Sequence, residues 1–235
     1  MFTIIQPTLF IFHQPTFPDY HSQVDITGYI ITAIVGYFLG SIPTGFLVAK
    51  ARGIDIRTVG SKNMGATNVF RTLGKGPGIF VLFVDAAKGF IAAWCAADGV
   101  LKWFNVSNPD PQMNHLVGGI AAVLGHNYTC WLNFKGGKGI ATTAGVFLAL
   151  APMGVGVAIV VWIVAFIATR YVSIASILAA IVLPIGVWFT QESKALRTLA
   201  IVLALLAIYK HKANIQRLKN GTENRINFNK PEAAK

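Results

Sequence analysis

Seven apolar stretches follow one another along the chain, at residues 26–50, 78–97, 115–125, 140–153, 154–169, 171–190 and 195–210. A bilayer-spanning helix needs about 20 consecutive, mostly apolar residues. The third, fourth and fifth stretches are shorter and read as tilted or partly interfacial. Composition agrees, because 54% of the chain is hydrophobic and only 12% charged, whereas soluble domains carry about a quarter of charged residues. The fold expected is an all-α integral membrane protein with about seven transmembrane helices and polar cytoplasmic-side loops that form the active site. The domains expected are an extramembrane N-terminal extension (1–25), a seven-span membrane domain (26–212) and a cytoplasmic basic C-terminal tail (213–235). Met1–Phe12 is apolar but has no basic start and no small-residue cleavage site, so it does not read as a cleaved signal peptide.

The basic residues orient the chain. With the C-terminus inside, sixteen of the 20 Lys and Arg fall on cytoplasmic stretches, and the opposite side keeps only Lys102, Lys194 and Arg197, together with Asp19, Asp25, Asp98, Asp110 and Glu192. That is the positive-inside bias, and it puts the N-terminus outside the cytoplasm. A net charge of +11 in so apolar a chain reads as this bias plus contact with anionic lipid head groups rather than as nucleic-acid binding. Cys95 and Cys130 are expected on opposite sides of the membrane, which argues against a disulfide or a metal site.

Three cytoplasmic-side segments concentrate glycine, amide, hydroxyl and basic residues. The first runs from Gly60 to Arg71, with Ser61, Asn63, Thr67 and Asn68 between them. Glycines there let backbone amides approach a ligand, as suits a phosphate, although a solvated loop closed by Arg71 would look the same. The second joins Gly125-His126-Asn127 to Phe134-Lys135-Gly136-Gly137-Lys138-Gly139 just before an apolar stretch, so helix-start amides and two lysines favour an anion. Gly139 follows Lys138 where a Walker A loop needs Ser or Thr, which removes a nucleotide-triphosphatase reading. The third, His211 to Leu218, begins where the last stretch ends and sets His211 and Asn214 one turn apart; a histidine there can also be merely interfacial.

Within the second stretch, Asp85 and Lys88 share a helical face. Charges at that depth need a partner or a polar cavity, and a mutual pair giving structural support is expected. His13, His21 and His115 receive no role, and three Asn-x-Ser/Thr matches at Asn105, Asn127 and Asn220 are discounted as short and badly placed. Pro43 and Pro184 should each free a carbonyl and bend a helix.

Taken together, Gly40-Ser41-Ile42-Pro43, the Gly60–Arg71 segment, Asp85-Ala86-Ala87-Lys88-Gly89, Phe134–Gly139 and His211–Leu218 resemble the PlsY family of acyl-phosphate:glycerol-3-phosphate acyltransferases, in order and spacing, from about Ile26 to Glu223. The resemblance implies a bacterial inner-membrane enzyme with seven spans. It would transfer a fatty acyl group from acyl phosphate to the 1-hydroxyl of sn-glycerol 3-phosphate, giving lysophosphatidate and phosphate, the first step of bacterial phospholipid synthesis. It implies a phosphate-binding set of Ser61, Arg71, Lys138, Ser176, His211 and Asn214, with Asn63, Thr67, Asn68, Gly136 and Gly137 flanking it. Lys138 and His211 are expected to be catalytic, and Ser173 rivals Ser176 on one helical face. The sequence departs from the family pattern at Thr129, where proline is usual, and at Lys62, often glycine; looser packing of one loop and an added charge beside the other are expected.

The chemistry follows from the donor. An acyl phosphate already carries a good leaving group, so the protein must chiefly bring two anions together and stabilise developing charge. Arg71 suits a two-pronged grip on phosphate, Lys138 a mobile point charge, and His211 either donor or acceptor. No Ser-His-Asp set is evident, and neither His126 nor His211 is followed by aspartate five positions on. Either His211 or the acceptor's own phosphate is then the base. No cofactor or metal is indicated. An organophosphate transporter is the rival reading, but it would place its site near the midplane, often within an inverted repeat; a basic interaction scaffold would leave the motif spacing unexplained.

Overall fold

A computed structural model describes residues 26–106 and 110–226, without the side chains of 95–97. The expected N-terminal extension with His13 and His21, the end of the tail, Ser107 of the first Asn-x-Ser/Thr match and the side chain of Cys95 lie outside the described residues. Among the described residues the regular structure is helical: α1 Thr27–Ser41, α2 Thr44–Lys50, α3 Ala66–Leu73, α4 Lys75–Ile91, a π-turn at Ala92–Ala96 leading into α5 Ala97–Trp103, α6 Pro111–Asn127, α7 Ile140–Leu150, α8 Pro152–Thr169, α9 Val172–Thr190, α10 Lys194–Lys210 and α11 Lys212–Lys219.

Four segments, Thr27–Lys50, Lys75–Trp94, Pro152–Thr169 and Val172–Thr190, are long and apolar enough to cross a membrane, and α10 reaches that length only when counted together with α11, from which a bend of 53° at His211 separates it. The outer face of α8 carries Met153, Val160, Val164 and Ile167, all exposed. A surface so apolar is stable only against hydrocarbon.

Glycine governs how the helices pair, because helices in lipid associate by close packing of small residues rather than by expelling water. α1 lies on α6, α4 on α7, and α8 on α9. A side chain at Gly40 would run into the backbone of Ala122, at Gly89 into the carbonyl of Thr142, and at Gly145 into the carbonyl of Ala86. Gly154 and Gly186 face each other across α8 and α9. Phe147, Val155, Val187, Leu199 and Leu203 fill the centre where these pairs meet α10.

The boundaries follow local chemistry. The fourth and fifth stretches separate at Ala151 rather than after Met153, because Pro152 at the first helical position forces Ala151 out of the helical region, to φ −150° and ψ 67°. α6 begins earlier than its apolar run, since the Asp110 carboxylate accepts from the Met113 N–H (3.1 Å) and Pro111 follows it. The chain breaks between Ser41 and Thr44 at Pro43, as expected, whereas α9 runs on as a helix through Pro184.

Candidate active site

The three polar segments converge on one cavity of about 560 Å³. Nine of the eleven site residues expected from the sequence line it: Ser61, Asn63, Thr67, Asn68 and Arg71 from the first segment, Lys138 from the second, Ser176 from α9, and His211 with Asn214 from the third. Gly136 and Gly137 do not line it. Their N–H groups donate to the carbonyls of Asn127 (3.2 Å) and His126 (3.0 Å), which ties the lysine-bearing loop to the end of α6.

The first segment differs from the loop expected. Only its first half is loop, and Thr67, Asn68 and Arg71 lie on α3, which starts after Gly65 and packs on α4. Asn68 is fully committed within the protein: its carbonyl oxygen accepts from the Ser61 N–H (2.9 Å), and its amide donates to the carbonyls of Ile56 and Val59 (both 3.1 Å). It therefore shapes the loop. Gly60 takes a left-handed φ of 56° directly against this amide, where a side chain would collide with Asn68. Asn63 accepts from the Gly65 N–H (2.9 Å) and fixes the turn into α3. Lys62 sits at φ 57° and is exposed, outside the cavity lining. A left-handed position favours glycine, which accounts for the glycine usual here, and the departure adds no cation to the cavity lining.

Opposite Arg71, the bend between α10 and α11 buries His211 and Asn214. The Lys138 ammonium donates to Asn214 Oδ1 (2.5 Å), the Asn214 amide to Glu223 Oε1 (2.7 Å), and Arg217 Nε to Glu223 Oε2 (2.7 Å). Arg71 donates to the carbonyl of Asn224 (2.8 Å). The described part of the expected tail thus folds onto the site rather than trailing from it, and Glu223 lines the cavity. Burial, Arg217, Arg71 and Lys210 together hold the Lys138 ammonium down to about 8, against a smaller opposing pull from Glu223. Burial and then Lys138 lower His211 to about 4. His211 Nδ1 lies 2.8 Å from the Ala207 carbonyl, which can only accept. The proton of the neutral ring is therefore on Nδ1, and Nε2 carries the lone pair. Burial raises the Glu223 carboxyl, but donation from Asn214 and Arg217 outweighs it and leaves the group below its ordinary value.

Beneath the lysine loop lies a second polar layer. Asp85 and Lys88 pair at 2.9 Å, as expected, and both are buried. His126 joins them, with Nδ1 3.6 Å from Asp85, and Gly137 packs so closely on its imidazole that a side chain there would strike the ring. Sequence reasoning gave His126 no partner and Glu223 no role; Asp85, His126 and Glu223 all line the cavity. The Ser173–Ser176 rivalry has no single winner, since both line it, and Ser176 Oγ accepts from Trp162 Nε1 (3.2 Å).

Away from this polar end the cavity becomes apolar, running between α8, α9 and α10 past Ala158, Ala180 and Ala204 to Val155, Leu183 and Leu203. Cationic groups thus stand at one end of a greasy slot, an arrangement suited to a molecule with an anionic head and a hydrocarbon chain.

A sequence profile of the family described as glycerol-3-phosphate acyltransferase matches residues 30–221. The chain belongs to that family. It is similar to the glycerol-3-phosphate acyltransferases of Geotalea daltonii (46% identical, covering 85% of this chain and 98% of that one) and Geobacter metallireducens (49%, covering 81% and 93%). Two crystal structures of PlsY, an integral membrane glycerol 3-phosphate acyltransferase, superpose on it. The glycerol 3-phosphate form gives a TM-score of 0.76 at 41% identity, covering 85% of this chain and 96% of that one, and the lysophosphatidic acid form 0.73 at 40%, covering 85% and 95%. With its exposed apolar helices, this family member is a membrane protein.

Proposed function

We propose that this acyltransferase moves a fatty acyl group from acyl phosphate to the 1-hydroxyl of sn-glycerol 3-phosphate in the inner membrane of a bacterium. The observation that carries the reading is the single cavity, cationic at Arg71 and Lys138 and apolar from Ala204 to Leu183. Glycerol 3-phosphate and lysophosphatidic acid, the molecules named for the PlsY structures, fit the two ends of the reaction. We read the bundle as seven spans, with the shorter α6 and α7 included, the N-terminus outside the cytoplasm, and the C-terminus and polar segments inside. The extension (1–25), the membrane domain (26–212) and the basic tail (213–235) remain our division of the chain.

In this reaction the acceptor oxygen bonds to the acyl carbon, the acyl carbon–oxygen bond to phosphate breaks, and phosphate leaves with the electron pair while the hydroxyl gives up its proton. Arg71 grips a phosphate through paired donors, and the Lys138 ammonium neutralises charge that builds on the leaving group. Ser61, Thr67 and Ser176 add neutral hydrogen bonds around the anions, and the Gly136–Gly137 backbone holds Lys138 at its post. The tie from Lys138 through Asn214 to Glu223 fixes the ammonium in place. At about 4, His211 is a weak base at neutral pH, whereas a phosphate monoester has its second ionisation near 6. The better base is therefore the acceptor's own phosphate, and His211 Nε2 serves to accept a hydrogen bond and orient the substrate. The test is acyl transfer by purified protein in proteoliposomes, with labelled glycerol 3-phosphate and palmitoyl phosphate or palmitoyl-CoA given separately. Lysophosphatidate formed only from acyl phosphate supports the reading; product only from the thioester changes the donor, and label taken up without product would make the protein a transporter.

A further inference from the structure

Trp162 takes no part in the chemistry derived above, yet its ring lines the cavity and its one polar group is committed to a site residue. It stands on α8, half-buried and stacked on Phe166, with the ring centroids 5.1 Å apart and the planes 25° from parallel. An indole N–H among apolar helices needs an acceptor. The Ser176 hydroxyl on α9 supplies it, at 3.2 Å.

That contact limits what Ser176 can do. A serine or threonine inside a helix commonly turns its proton back to the carbonyl four residues before it. Thr169 does so to Ala165 (2.7 Å) and Thr190 to Gly186 (2.8 Å), on these same two helices. Ser176 makes no such bond to Val172, and among the described residues its hydroxyl meets no other acceptor. A hydroxyl carries one proton and two lone pairs. Trp162 occupies a lone pair, and the proton of this buried group is left for whatever fills the cavity.

Ser176 also stands where the cavity changes character, between Ser173 and Glu223 on its polar side and Ala179 and Ala180 on its apolar side. The bond that breaks in an acyl phosphate joins a phosphate to an acyl group, so it belongs at such a border, and negative charge builds on the oxygens around it in the transition state.

We propose that Trp162 is a positioning residue, whose N–H holds the Ser176 hydroxyl turned into the cavity as a donor to the oxygens of the reacting acyl phosphate. A donor already oriented has no rotation to make as charge develops. Without the indole N–H the hydroxyl can turn to the Val172 carbonyl, and the reacting group must compete for it. The inference rests on the acyl-transfer reading above.

Its test is a double-mutant cycle of Trp162→Phe and Ser176→Ala, read as acyl transfer from palmitoyl phosphate to glycerol 3-phosphate in proteoliposomes. Trp162→Phe should lower kcat by about three- to tenfold, the weight of one hydrogen bond, with KM within about twofold. Ser176→Ala should lower kcat at least as far. Adding Trp162→Phe to Ser176→Ala should then change kcat by less than about twofold, because no hydroxyl is left to orient. Equal factors in the two backgrounds, a raised KM with kcat unchanged, or no loss from either single substitution overturns the proposal. A readout apart from turnover guards against misassembly. In protein labelled with fluorotryptophan, the fluorine resonance of Trp162, assigned by its absence from Trp162→Phe, should move in Ser176→Ala while those of the other tryptophans stay in place. An unmoved Trp162 resonance overturns the contact on which the proposal stands. An unsubstituted protein that forms no lysophosphatidate overturns the acyl-transfer reading itself.

Discussion

Lys138 makes the acyl-transfer chemistry measurable as a pH profile. Its ammonium is held at about 8 by burial and by Arg217, Arg71 and Lys210, with Glu223 opposing them. A lysine so lowered is charged below that pH and neutral above it. In the free enzyme the charged fraction falls from about 0.9 at pH 7 to about 0.1 at pH 9, a loss of about tenfold. Glycerol 3-phosphate does not change over that window, because its second ionisation lies near 6. Bound phosphate would pull the ammonium back into its charged state, so the loss belongs to kcat/KM, which reports the free enzyme, more than to kcat. The assay is initial-rate acyl transfer with both acyl phosphate and glycerol 3-phosphate well below saturation, from pH 6.5 to 9.5, so that the rate reports the enzyme free of both anions. Lys138→Arg supplies the control, since a guanidinium stays charged throughout; whatever its absolute rate, its profile should lose the inflection near 8. A flat profile in the unsubstituted protein, or an inflection that survives in Lys138→Arg, would refute the assignment of the titrating charge to Lys138.

Asn68→Leu is expected to lower stability by about 2–4 kcal/mol, because one buried and two half-buried backbone partners lose their hydrogen bonds; denaturant titration in detergent reads it, and an intact fold with only a raised KM would return Asn68 to direct substrate binding. Thr129→Val removes a buried hydroxyl that donates to the Ser41 carbonyl at 2.6 Å, a loss of about 0.6–3 kcal/mol, visible as a lower thermal midpoint. Lys62→Gly should raise stability by about 0.5–1 kcal/mol by relieving the left-handed φ, with acyl-transfer kinetics unchanged; a fall in kcat/KM would put Lys62 in the site after all. His211→Gln should keep kcat within about tenfold if the substrate supplies the base, and a loss of three orders of magnitude would restore histidine to that role.

The apolar helices were legible because a bilayer demands long runs without charge, and such runs can be read directly. The break at Ser41–Thr44 was legible from Pro43 for the same local reason. What escaped depended on chain folding between distant positions. Asp85 and His126 carry no pattern in common, and only the packing of α4 against α6 brings them together. Glu223 stands in a short polar stretch whose periodicity says nothing, so its place beside Asn214 could come only from the turn after α11. The start of α3 within a glycine-rich segment was hidden by composition: Gly60 and Gly65 suggest loop, whereas the side chains from Ala66 onward have a helical face packed on α4. Lys62 and Thr129 looked like a charge gained and a constraint lost. One proves to be a backbone matter, and the other replaces a ring by a hydrogen bond.

The helix break explains why so apolar a bundle can hold so polar a site. Interrupting α1 at Pro43 leaves carbonyls among helices that offer no water, and unmet polar groups there are costly. Two side chains from elsewhere meet that need, and a third partners the Ser41 hydroxyl beside them. Thr129 donates to the carbonyl of Ser41, Trp131 to the Ser41 hydroxyl (3.0 Å), and Lys88 to the carbonyl of Ile42 (3.0 Å). Lys88 could not reach that carbonyl as a buried cation without Asp85 beside it, and Asp85 in turn faces His126 under the Gly136–Gly137–Lys138 loop. One chain of polar contacts therefore runs from the break in α1 to the backbone that carries Lys138. The last of them, the loop above His126, presents the Lys138 ammonium to the cavity.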